Sequence, residues 1–325
     1  MANATPLHVV TGKGGTGKTT VAAALAMALA DAGRCVLLCE VEGRQGIAQL
    51  FDVPPLPYEE RMVGVGLGGG EVYALAIDPE AALLEYLQMY YRLGRAGKAL
   101  DRFGIIDFAT TIAPGVRDVL LTGKVYEAAR RRNGNGFTYD AVVMDAPPTG
   151  RIARFLNVNE EVAGLARVGP VRRQADSIMA MMRSKTTQVH LVTVLEEMPV
   201  QETLDGISEL RATNLPVGHV IVNLVQSALL GDDTREALMS GALGTTQVAS
   251  VLTSVALQAS AAPALIAQGR SHLERQDLQD AQREVLETAD RPVVELPTLP
   301  DVDQGALFEL ARMLRHDLLG KGDPA

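Results

Sequence analysis

Between an apolar run of strand type, Leu7 to Thr11, and an Ala-, Leu- and Met-rich stretch of helical type, Thr20 to Ala30, lies Gly12-Lys13-Gly14-Gly15-Thr16-Gly17-Lys18-Thr19. The spacing is G-x-x-x-x-G-K-[ST], with the strand before it and the helix after it that this motif needs. Its glycines let successive backbone N–H groups turn toward phosphate oxygens, and the start of the helix adds a partial positive charge. In that arrangement Gly14, Gly15, Thr16 and Gly17 form the cradle, Lys18 holds the β- and γ-phosphates, and Thr19 ligates Mg2+. The second chemical signal is Tyr139 to Met144, an apolar strand closed by Asp145. A carboxylate at the carboxyl edge of a sheet is placed to support a phosphate-bound Mg2+. Taken alone the Asp145 strand is a weak signal, but with the glycine loop it is strong, because the pair supplies both ends of a metal–phosphate site. Pro147, Pro148, Thr149 and Gly150 follow as a stiff loop suited to reporting whether a γ-phosphate is present. Asn223 closes another apolar run, Val217 to Val222, where its amide could read a base edge. Pro297-Thr298-Leu299-Pro300-Asp301 is a rigid loop that could border that base. No N-K-x-D guanine-reading signature follows Asn223, which favours ATP over GTP.

The elements that must position these groups alternate. Cys35 to Cys39, Glu71 to Ile77, Val189 to Leu195 and Val293 to Leu296 read as further buried strands, with helices between them, as a doubly wound parallel sheet requires. Apolar residues from Leu83 to Leu100 follow helical spacing, and Pro114 sits near the first turn of another helix. The interval of roughly sixty residues before the strand at Tyr139 exceeds what one crossover helix needs. The expected fold is therefore an α/β P-loop NTPase with a mostly parallel sheet and an inserted helical subdomain, formed by about 79–136 and 155–186. Methionines in Ile178-Met179-Ala180-Met181-Met182 fill core gaps more often than they line an adaptable groove. The closing helix, Gln304 to Leu319, carries Leu307, Leu310, Met313 and Leu314 on one side and is expected to pack on the sheet.

The 325 residues suit one large domain, with 47% hydrophobic and 4% aromatic residues. Thirty basic against 39 acidic side chains give −9, so no broad basic surface exists for nucleic acid or anionic lipid, and no nucleic-acid partner is expected. The N-terminus enters the first strand without a charged-then-apolar leader, which points to the cytoplasm. Val248 to Gln268 is interrupted by polar residues and Pro263, and reads as one or two soluble helices rather than a membrane span. Cys35 and Cys39 lie about 13 Å apart on a strand, too far for a disulfide, and read as buried apolar fillers. The five histidines, at 8, 190, 219, 272 and 316, are scattered and show no metal-ligand spacing.

The chain resembles the deviant P-loop ATPases of the ArsA type, which include the arsenite-pump ATPase and the cytosolic factor that delivers tail-anchored proteins to membranes. It looks most similar to single-domain actinobacterial members called anion-transporter ATPases. The likeness runs from about Leu7 to Leu319, on KGGTGKTT, EVYALAIDPE, IAPGVRDVL, DAPPTGRIARFL, VIVN and PTLP. It implies ATP and Mg2+ as cofactors and a homodimer or a heterodimer with a paralogous ATPase. It also implies a hydrophobic protein client or a membrane protein as partner. Thr20 joins the phosphate site, Lys13 reaches across the dimer to the partner's nucleotide, and Asn223 and the loop at Pro297 contact adenine. Glu42, in the loop after the second strand, takes the part of the acid that positions the attacking water, although a carboxylate beside glycine is also common in turns. Where better-known relatives carry Asp-Pro-Ala-His, this chain has Glu42-Gly43-Arg44-Gln45, which implies slow turnover. The zinc-binding C-x-x-C and the arsenite pump's cysteine triad are absent. An ATP-binding scaffold and a positioning ATPase of the MinD or ParA kind are the competing readings. The acidic balance and charge-neutral final helix count against the second.

Overall fold

Strand β1, Leu7–Gly12, is fully buried on both faces and forms the middle of an eight-stranded sheet. The computed structural model describes residues 5–91, 114–134, 136–157, 170–300 and 303–318. In chain order the strands are β1, β2 (Val36–Glu40), β3 (Arg61–Val65), β4 (Glu71–Ala76), a short β5–β6 pair (Arg132–Asn133 and Gly136–Phe137), β7 (Ala141–Asp145), β8 (Thr187–Thr193), β9 (Val217–Val225) and β10 (Val293–Pro297). The spatial order is β10-β9-β8-β1-β7-β2-β4-β3. All neighbours in the large sheet are parallel except β3, which runs antiparallel to β4 at one edge. Strands that leave β1 in opposite directions along the sheet create the crevice at its carboxyl edge where open α/β sheets bind ligands.

The helices are α1 (Lys18–Asp31), α2 (Gly46–Leu50), α3 (Pro79–Tyr91), α4 (Pro114–Arg130), α5 (Thr149–Leu156), α6 (Pro170–Met182), α7 (Glu197–Ala212), α8 (Asp232–Met239), α9 (Thr245–Ser254), α10 (Ala262–Glu287) and α11 (Gln304–Leu318). Most of them divide between the two sheet faces, while α8 and α9 pack on α10. One core joins Leu7, Val9, Leu37 and Val142 to side chains of α4, α5, α6 and α7; the other joins Val10, Val36, Leu38 and Val143 to α1, α2 and α11. Helix α1 is apolar all round because it is enclosed all round: Val21 to Ala30 are buried without a break.

Some expectations hold and others change in detail. The closing helix packs on the sheet as expected, at β10, and more extensively on α1, through Leu307, Leu310, Ala311 and Leu314. Met179, Met181 and Met182 are core, not groove. Cys39 is buried, whereas Cys35 is only half-buried. Val248 to Gln268 is divided between α9 and α10, and no described helix is long and apolar enough to cross a membrane. Strand β3 went unanticipated because it has no buried face: Met62 is 55% and Val65 49% exposed. Three of the five histidines are not scattered. His8 on β1, His190 on β8 and His219 on β9 stack side by side, with ring centroids 5.4 and 5.6 Å apart. The expected helix beyond Tyr91, the start at Ala113, the residues 92–113 and 158–169 of the expected subdomain, Asp301 and Leu319 lie outside the described residues.

Candidate functional site

At the end of β1 the backbone comes so near β8 that a Cβ on Gly12 would stand 2.2 Å from the carbonyl oxygen of Val192. The loop then folds on itself, Thr16 Oγ1 donating to the carbonyl of Lys13 at 2.9 Å. Gly17 takes φ 84° as α1 begins, a left-handed conformation that a side chain would strain. Gly14 and Gly15 are exposed, and a Cβ on either would meet nothing within 4 Å. The loop thus presents open backbone directly before a helix N-terminus, which suits an anionic ligand.

Lys18 opens α1 and is only 8% exposed. Burial lowers its pKa, against the raising pull of the Asp145 and Glu42 charges. An added phosphate would supply the counter-charge that favours the protonated amine. Thr19 Oγ1 donates to Asp145 Oδ2 at 2.7 Å, joining loop and strand end. Asp145 is itself buried, and that burial pushes its pKa up to about 6 despite the Thr19 hydrogen bond and the Lys18 charge; Glu40 and Glu42 push in the same direction as burial. A carboxylate short of positive charge, a hydroxyl and an open backbone loop together fit Mg2+ held between protein oxygens and phosphate. Among the described residues no three His, Cys, Asp or Glu side chains form a cation site by themselves, so a cation beside Asp145 would need phosphate oxygens and water to complete its shell.

The remaining expected residues take distinct places. Glu42 lies in the bend after β2, 3.6 Å from Arg44, its charge felt at both Lys18 and Asp145. Thr20 is half-buried in the first turn of α1. Asn223 is 5% exposed, and its amide nitrogen donates to the carbonyl of Thr16 at 3.0 Å, so it braces the cradle from β9. Pro297 ends β10 opposite Val225, and the Thr298 N–H donates to that carbonyl, which puts this loop on the same edge as Asn223. Lys13 forms an ion pair with Glu202 of α7 at 3.0 Å.

Three connections escaped the sequence reading. Thr11 Oγ1 donates to the Pro147 carbonyl at 2.6 Å, tying the proline loop to β1. Arg151 of α5 reaches Asp118 of α4 at 3.5 Å. Glu40, the last residue of β2, faces Asp145 in register. Only Glu40 left a local trace, as an acid closing an apolar strand just as Asp145 does. The other two depend on pairings 136 and 33 residues apart, which no spacing rule reaches.

The sequence model of a family described as anion-transporting ATPase matches residues 6–186. The chain is 52% identical to the ATPase BagA of Mycobacterium tuberculosis over 95% of its own length and 92% of that protein's. It is 25% identical to the ATPase Get3 of Schizosaccharomyces japonicus, over 70% of this chain and 75% of that one. An arsenical pump-driving ATPase of Escherichia coli is 24% identical over 69% of this chain and 40% of its own length.

Proposed function

Since the chain belongs to the anion-transporting ATPase (ArsA) family, we propose that it hydrolyses ATP with Mg2+ as a dimeric switch that couples nucleotide state to a protein client or membrane partner. The observation that carries this reading is the Thr19–Asp145 hydrogen bond directly behind an open glycine loop. Gly14 to Gly17 and Lys18 bind and orient the phosphates, and Thr19 and Asp145 hold Mg2+. The ion supplies charge neutralisation at the transferred phosphoryl group. Glu42 orients the attacking water, and Asn223 with the loop at Pro297 borders the adenine. Catalysis is positioning and electrostatics, without a covalent intermediate. A longer acid, ion-paired with Arg44 in the bend after β2, fits slow turnover.

The route outward begins at the proline loop. Pro147 is tied to β1 by Thr11, α5 starts at Thr149, and Arg151 passes the position of that helix to Asp118 on α4. We assign α3, α4 and α6 to the helical subdomain of about 79–136 and 155–186, which takes the client. Lys13, at the surface of one chain and held there by Glu202, is the residue that changes partner when two chains meet.

The test is ATP turnover by the purified chain with Mg2+, beside Lys18→Ala. Turnover lost in the variant supports the enzyme, with a fall on the order of 100-fold or more for a preorganised charge at the transferring group. Tight ATP binding with no turnover in the wild type would replace the enzyme with an ATP-binding scaffold.

A further inference from the structure

Glu40 has no role in the chemistry described so far, yet it is the most enclosed carboxylate near the loop, 2% exposed. Its Oε2 accepts the backbone N–H of Ile47 at a long 3.4 Å, and its Oε1 is buried with no hydrogen-bond partner. A buried acceptor left empty costs free energy and in a native fold calls for an explanation, such as a ligand or ion that arrives later. Position supplies one. Glu40 and Asp145 end adjacent parallel strands in register. Side chains alternate along a strand, and Val36 and Leu38 on β2, like Ala141 and Val143 on β7, lie in the core beneath α1. Glu40 and Asp145 therefore share the α1 face, where Asp145 already holds Thr19. The start of α2 adjoins the same group: a Cβ on Gly46 would lie 3.1 Å from the Thr19 methyl. Glu40 thus stands between the expected metal site and the loop, Val41 to Gln45, that carries Glu42.

We propose that Glu40 is a second carboxylate of the Mg2+ site, its Oε1 facing the ion's water shell while its Oε2 keeps the Ile47 N–H. It is a positioning residue that links the occupied metal site to the Glu42 loop. The inference rests on the ATPase reading above. Mg2+ retains several waters and is commonly held by one or two carboxylates together with phosphate oxygens. Groups that hydrogen-bond its shell control how tightly it stays.

The experiment titrates Mg2+ into the full chain with a fluorescent ATP analogue and reads the Mg2+ concentration that gives half of the Mg2+-dependent change in analogue affinity. The same affinity is also measured in EDTA. Glu40→Gln keeps an acceptor for Ile47 but removes the charge. It is expected to raise the Mg2+ midpoint by about 10- to 100-fold, the usual cost of losing an outer-shell partner, with affinity in EDTA unchanged. Glu40→Asp, which keeps the charge but withdraws it by one methylene, is expected to raise the midpoint less, and it serves alone if the Gln variant does not fold. A purely structural Glu40 would alter the melting temperature and leave the midpoint where it is. A midpoint equal to wild type in either folded variant overturns the proposal. A wild-type chain that binds the analogue neither with Mg2+ nor in EDTA overturns the ATPase reading itself, and the proposal with it.

Discussion

Gly12 shows how a single atom decides whether this site can exist. The phosphate loop begins where β1 lies against the Val192 carbonyl of β8, and the missing Cβ is what lets the two backbones meet there. Gly12→Ala sets a methyl against the Val192 carbonyl, which no side-chain rotation can relieve. Overpacking of this kind typically costs about 1–3 kcal/mol, so urea unfolding should show a lowered midpoint with an unchanged slope. Gly14→Ala, where nothing stands within 4 Å and φ is unstrained, should leave the midpoint at its wild-type value and instead weaken nucleotide binding. The contrast separates a glycine kept for the fold from one kept for the ligand. The sequence motif shows the two alike because it records residue type and spacing. Lys18, Thr19 and Asp145 were legible for the same reason: phosphate and metal chemistry admit few alternatives at those positions. Glu40 and Glu202 were not, because their meaning comes from neighbours on other strands and helices.

The strands were legible where both faces are buried, because short, β-branched apolar runs bounded by turn residues suit a strand enclosed on both sides. Strand β3 was not, since an exposed edge carries no such pattern. The histidine stack was invisible for a third reason: it forms across β1, β8 and β9, and only parallel register brings positions 8, 190 and 219 together. Its hydrogen bonds fix its protonation. His190 Nδ1 accepts the backbone N–H of His219 at 3.2 Å, so in the neutral ring Nε2 carries the proton and donates it to His8 Nδ1 at 3.1 Å. A proton on His8 would oppose that bond. Burial, reinforced by the Arg34 and His219 charges, lowers the His8 pKa to about 4, and burial takes His190 well below its ordinary value. The unfolded chain takes up these protons first, as pH falls through about 6.5. Stability is therefore full above that pH and declines toward pH 4, by on the order of 3 kcal/mol for His8. Urea midpoints measured from pH 7.5 to 4.5 should fall steadily in the wild type. His8→Gln, which retains an acceptor for His190, should flatten part of that slope. An equal slope in both proteins would show that other groups carry it.

At the scale of the whole molecule, the sheet carries the candidate nucleotide site at its carboxyl edge, and the proposed switch requires that an event there become an event between two chains. Lys13 is the residue the reading requires at the interface, and in the single chain it is paired with Glu202. The side chains are 31% and 38% exposed, so water screens the pair and it contributes only about 0–1 kcal/mol. That is the right size for a contact that must be exchanged: it orders the lysine without trapping it. Glu202→Gln removes the competitor and should tighten the ATP-bound dimer, by no more than about fivefold in dissociation constant for each Lys13 released at about 1 kcal/mol, or roughly 30-fold for a homodimer that releases two. The nucleotide-free chain should be unaffected, since no partner phosphate then draws Lys13 across. Lys13→Ala should weaken the ATP-bound dimer while leaving ATP affinity of the monomer near wild type. Sedimentation velocity over a concentration series, with and without ATP, measures all three. If Glu202→Gln and Lys13→Ala both dimerise as the wild type does, the lysine acts within its own chain, and Glu202 is its permanent partner rather than a place it leaves.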